Sequence, residues 1–63
     1  MHTLNIGAIF EGNNNGHVFV LEAIKEGRSE KSKTAIVKDI TTGHMYMYGY
    51  DALCRLNITV IKN

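Results

Sequence analysis

The chain has no proline and one cysteine, Cys54, in 63 residues. A single thiol allows no intramolecular disulfide and no cysteine-rich zinc site, so the usual staples of a very small protein are missing. A chain of this length buries only about 60% of the surface its unfolded form exposes. Stability then has to come from close packing or self-association. A lone thiol without an oxidative framework also points to a reducing, cytoplasmic setting. No stretch approaches the roughly 20 apolar residues needed to cross a bilayer. The opening Met1-His2-Thr3-Leu4-Asn5-Ile6-Gly7 has neither the basic leader nor the apolar run of a signal peptide. A soluble chain without a membrane partner is expected, and the sequon Asn57-Ile58-Thr59 in such a chain reads as chance.

Charge of one sign is also scarce. Seven basic residues against six acidic ones give a net charge of +1, far from the basic excess that drives duplex binding by counterion release. Lys25, Arg28, Lys31, Lys33 and Lys38 nevertheless fall close together, interrupted by Glu26 and Glu30. This cluster reads either as a solvated hairpin tip or as a phosphate-facing patch.

Catalytic and metal signatures are absent as well. The bases His2, His17 and His44 are scattered, and Cys54 lies between Leu53 and Arg55 on an apolar turn, where a free cysteine is usually core. There is no phosphate-cradling glycine loop of the P-loop type, and no H-x-x-x-H or C-x-x-C pair. The sequence predicts no catalytic residue, no metal and no cofactor, hence not an enzyme. The loop at 12–16, rich in glycine and asparagine, is compatible with an anion nest or with a plain turn.

What the sequence does contain is a rhythm of β-rich segments and turn signals. Strands are expected at residues 4–10, 17–24, 34–40, 44–50 and 57–61, with Gly and Asn supplying the turn at 12–16 and Thr41-Thr42-Gly43 the next. In the second strand Val18, Val20 and Ile24 would face one way and Phe19, Leu21 and Ala23 the other. Asp51-Ala52-Leu53-Cys54 reads as one helical turn with Asp51 as its N-cap. With no linker and no repeat, residues 1–63 form a single domain. The fold class is all-β: a small five-stranded antiparallel SH3-like barrel with one short helical turn before the last strand.

Gly7-Ala8-Ile9-Phe10, Gly16-His17-Val18-Phe19-Val20-Leu21-Glu22, Ile36-Val37 leading to Thr41-Thr42-Gly43-His44, and Leu53 resemble a small domain of phage proteins from Gram-positive bacteria. That domain often precedes an HNH endonuclease or an AP2-like DNA-binding segment. The resemblance rests on turn glycines and core positions. It implies a barrel acting without a nuclease segment, in a phage-infected or lysogenic bacterial cell, and it carries over no catalytic residue. Asp39 departs from the pattern, which is apolar at that position, and Thr41 replaces a turn aspartate.

The segment His44-Met45-Tyr46-Met47-Tyr48-Gly49-Tyr50 holds all three tyrosines at every second position. Alternation on a strand puts His44, Tyr46, Tyr48 and Tyr50 on one face and both methionines on the other. Because methionine is apolar throughout and tyrosine carries a hydroxyl, methionine inward and tyrosine outward is expected. An outward tyrosine row has two functional readings besides merely stiffening the sheet. It could capture nucleic acid or a nucleotide by stacking, with Lys38, Lys33 and Arg28 on the phosphates. It could instead anchor a protein contact, either a homo-oligomer or docking on a host protein to inhibit it.

Overall fold

A computed structural model describes residues 3–13, 16–28 and 32–63. The elements run β1 (Ile9–Gly12), β2 (Val18–Lys25), β3 (Thr34–Asp39), β4 (Met45–Gly49), α1 (Tyr50–Arg55) and β5 (Ile58–Lys62). All five strands pair antiparallel in one sheet, in the order β4, β3, β2, β1, β5. Strand number, direction and the helical turn before the last strand agree with the sequence reading. The barrel, however, is not closed, because no ladder joins β4 to β5. Instead α1 stands in the connection between these two edges and turns Leu53 and Cys54 into the core.

The core comprises Leu4, Ala8, Phe10, Leu21, Ala35, Val37, Leu53, Cys54 and Ile58, with Phe19, Ile24, Tyr50 and Val60 packed against it. Two irregularities shape the sheet around these side chains. Between Leu21 and Ala23 the register with β3 shifts, leaving Glu22 as an extra residue in β2. This bulge reverses the alternation, so the inward series runs Phe19, Leu21 and then Ile24, opposite Ala35. The expected grouping of Ile24 with Val18 and Val20 is thereby corrected, since a strict period of two cannot pass through a bulge. A second shift, between Ile9 and Phe10, leaves Ile61 as the extra residue in β5.

Residues 4–8 are not strand, contrary to expectation. The Ala8 amide donates to the Asn5 carbonyl at 2.9 Å, closing a turn with Gly7 at φ +94°, a backbone angle that side-chain-bearing residues rarely adopt. The segment is pinned to β2 by Gly7 N–H to the Leu21 carbonyl (2.8 Å) and Leu21 N–H to the Ala8 carbonyl (2.9 Å).

Tyr50 opens α1 rather than ending the tyrosine-bearing strand. Its hydroxyl donates to the Leu4 carbonyl at 2.8 Å and accepts from the Leu4 amide at 3.2 Å. Burial pushes its pKa above the ordinary 10.0, and a side-chain hydrogen bond with Cys54 adds to the rise. Asp51 does not cap the helix. Gly49 holds the N-cap position without a side-chain bond, and Asp51 pairs one turn on with Arg55 at 3.2 Å. Tyr50→Phe is expected to leave the Leu4 carbonyl without its donor and to cost about 1–3 kcal/mol. A lower urea midpoint, with amide protection lost first at Leu4, would show it.

Candidate functional site

The β3–β4 hairpin decides which way the tyrosines point. The Asp39 carbonyl accepts from Gly43 N–H at 2.7 Å and its amide donates to the His44 carbonyl at 2.8 Å, with Gly43 at φ +80°. This turn sets the register Lys38–Met45, Ile36–Met47, Val37–Tyr46 and Ala35–Tyr48. Directly opposed residues share a face. Val37 and Ala35 are fully buried on the inner face, so Tyr46 and Tyr48 lie on that side and Met45 and Met47 on the outer one. Exposure agrees: Met47 is 71% and Met45 53% exposed, against 40% for each tyrosine. The expected methionine-inward orientation is thus reversed. Because the barrel stays open at the β4 edge, the inner face is wet there, and tyrosine can lay its ring on the core while its hydroxyl meets water.

The rings join into one surface. Phe10 stacks on Phe19 with centroids 5.6 Å apart, and Phe19 meets Tyr46 edge-on at 6.3 Å. Tyr46 lies 6.5 Å from Tyr48 and 6.4 Å from His44, and His17 stacks on Phe19 at 6.4 Å. Beside this row a groove of about 220 Å³ is lined by Phe10, Phe19, Val37, Tyr48, Leu53 and Ile58 among others. It is smaller than the roughly 300–1,000 Å³ of pockets that enclose a drug-sized ligand. The Asn13 amide at its rim donates to the Asn57 side-chain oxygen at 2.9 Å and accepts from the Thr59 hydroxyl at 2.8 Å.

One end of the row is held by Asp39, which is 1% exposed. Its Oδ2 accepts from His17 Nδ1 at 2.7 Å, and its Oδ1 accepts from the Thr41 and Thr42 amides at 2.9 and 3.3 Å. An ionised carboxylate can only accept, so the ring proton sits on Nδ1. The His17 hydrogen bond leads the forces that hold the Asp39 carboxyl below the usual aspartate pKa of 3.8. Burial opposes it, and the two amides reinforce it. Three donors satisfy the buried carboxylate. It also fixes the imidazole against Phe19.

Of the residues expected to form the site, His44, Tyr46 and Tyr48 come together, while Tyr50 is committed to Leu4. Lys38 does not join the rings. Lys38 is out of phase with the tyrosines and faces outward between Val20 and Met45. Arg28 lies exposed in the β2–β3 connection. Lys33 stands at the helix end, where its carbonyl accepts from the Tyr50 amide at 2.9 Å. Phe10, Phe19 and Asp39 complete the surface together with His17, which the sequence offers only as a scattered base; they belong to other strands and meet the tyrosines only across the sheet. The turn glycine before His17 was their one local signal. His2, Asn14 and Asn15 of the proposed nest, and Glu30 and Lys31 of the charge cluster, lie outside the described residues.

Cys54 is buried in the core. Among the described residues no three His, Cys, Asp or Glu side chains converge on a metal position, and no helix is long and apolar enough to cross a membrane. Comparison with known proteins finds no matching family model, no matching curated protein and no matching solved structure.

Proposed function

We propose that the protein is a non-enzymatic interaction module that docks a protein partner on the aromatic inner face, seating an apolar side chain of that partner in the groove. The observation that carries this reading is the continuous row from Phe10 through Phe19 to Tyr46 and Tyr48, opening beside a recess of about 220 Å³. A tyrosine and two phenylalanines lining a small recess, with a second tyrosine beside it, are the composition of a contact hot spot. The phage-type resemblance fits such a role, docking on a host protein.

The test is selection of peptides from a random display library on the folded chain. Selected peptides should carry an aromatic or aliphatic anchor and should shift the amides of Phe19, Tyr46 and Tyr48. Tyr48→Ala should weaken them roughly tenfold or more, whereas Lys38→Ala on the opposite face should not. Selected peptides that map to another surface would overturn the reading.

A second reading, capture of a single-stranded nucleic acid or a nucleotide, draws on the same ring spacing, since bases stack on such rings for about 1–3 kcal/mol each. The placement of Lys38 on the opposite face weighs against it. Titration with pooled single-stranded DNA, RNA and nucleotides at low and at physiological salt separates the two. Phosphate-dependent binding falls steeply with salt, and apolar docking holds.

A further inference from the structure

The free edge of β4 is complementary to itself. Hydrogen-bonded pairs alternate along an antiparallel ladder. The bonds from Asp39 N–H to the His44 carbonyl and from Tyr50 N–H to the Lys33 carbonyl fix the phase at its two ends. Tyr46 and Tyr48 therefore turn their amides and carbonyls toward β3, Met45 and Met47 turn both off the sheet, and Gly49 turns its amide off the sheet while its carbonyl opens α1. Natural edges are blunted by charge, proline or bulges. The β5 edge has two such devices, the extra residue Ile61 and the charge of Lys62. The β4 edge has none: Met-Tyr-Met-Tyr-Gly is uncharged, regular in register and exposed throughout.

We infer that β4 pairs antiparallel with β4 of a second copy, about a two-fold axis at Met47. In that register Met47 faces its own symmetry mate and Met45 faces Gly49, in both directions. The two Met47 residues then exchange bonds, each Gly49 amide donates to a Met45 carbonyl, and the Gly49 carbonyl, which opens α1, has a second lone pair for the Met45 amide; the contact is isologous. Tyr46 of one copy lies opposite Tyr48 of the other, so the two aromatic faces merge across a ten-stranded sheet. No like charges meet, because the strand carries no charge. A sixty-three-residue chain whose single cysteine allows no intramolecular disulfide gains most from such pairing. A foreign strand would present the same backbone groups; the second copy is the occupant inferred because β4 is uncharged and regular and meets itself with no opposing charge or bulge. The inference rests on β4 being a protein-contact surface, but it uses the backbone edge, and the groove is not involved.

Sedimentation equilibrium of the full chain over roughly 10 µM to 1 mM tests it. A strand pair of this length buries less than a standard interface, so dimerisation in roughly the micromolar to sub-millimolar range is expected. Met47→Lys places like charges opposite each other on the exposed outer face and should shift the midpoint at least tenfold toward monomer. Met47→Glu should do the same, and an equimolar mixture of the two variants should recover the dimer as a heterodimer. Ile61→Lys on the β5 edge should change nothing. Monomer at every concentration overturns the inference, as does a dimer sensitive to Ile61→Lys but not to Met47→Lys. Peptide binding lost by Tyr48→Ala reads the groove separately, so failure of the dimer and failure of the docking function give different results.

Discussion

Leu53→Ala is expected to lower Tm by more than about 8 °C and to leave much of the population unfolded at 37 °C. Leu53 is 1% exposed, and it is one of two α1 side chains that enter the core where the sheet fails to close. Truncating a buried leucine costs about 2–5 kcal/mol once the cavity is counted, and each kcal/mol moves Tm of a domain this size by about 4–8 °C. Total stability of a 63-residue chain is of order 3–9 kcal/mol, so one substitution removes a large share. Leu56, one turn on but 46% exposed, provides the contrast: Leu56→Ala should cost about 1 kcal/mol or less. Leu53→Met, which keeps volume, should recover most of the loss. Urea denaturation of the three variants checks the ranking. Equal effects at Leu53 and Leu56 would mean that α1 is not seated on the core.

Asp39→Asn should lower Tm at pH 7 and flatten the acid limb of the stability curve. Asparagine keeps an oxygen for the Thr41 and Thr42 amides but presents an NH₂ group, or no charge, to His17 Nδ1–H, so the 2.7 Å bond is lost or weakened. The folded-state pKa of Asp39 lies below its ordinary value of 3.8. The stabilisation is therefore complete above that value and is lost as pH falls through the lower folded-state pKa. Thermal melts from pH 7 to 2 should show the wild-type curve dropping below about pH 4 and converging on the variant at the acid end. A wild-type Tm that is level through that window would remove the carboxylate from the account. Since Asp39 also fixes His17 against Phe19, the variant should broaden or shift His17 and Phe19 ring resonances at neutral pH.

The sequence carried the strands because their signals are local. β-branched runs, Gly43 after two threonines, and a polar connection between two apolar segments all act within a few residues of where they stand. For the same reason the N-terminal segment was misread: Leu4-Asn5-Ile6 alternates like a strand, but Gly7 at φ +94° turns it back. Ile24 was misplaced because the Glu22 bulge is a property of two strands, and one strand's pattern does not show it.

The candidate site divides along the same line. That His44, Tyr46 and Tyr48 share one face follows from the period of a strand, and it was legible. Which face that is depended on the hairpin register and on whether the barrel closes. Intrinsic side-chain preference favoured buried methionine, but an open edge lets a tyrosine be half-buried at little cost. Likewise Lys38 is near the tyrosines in sequence yet on the opposite face, because pairing Lys38 with Met45 puts it out of phase with Tyr46.

Composition and local pattern were enough to determine a small all-β chain without an intramolecular disulfide and with a tyrosine-bearing strand, since each follows from residue types and short spacings. The open sheet, the Phe10–Phe19–Tyr46 row, the Asp39 anchor and the bare β4 edge arise from contacts between residues far apart in the chain. Such contacts depend on register and closure, which are settled only when all five strands compete for one core.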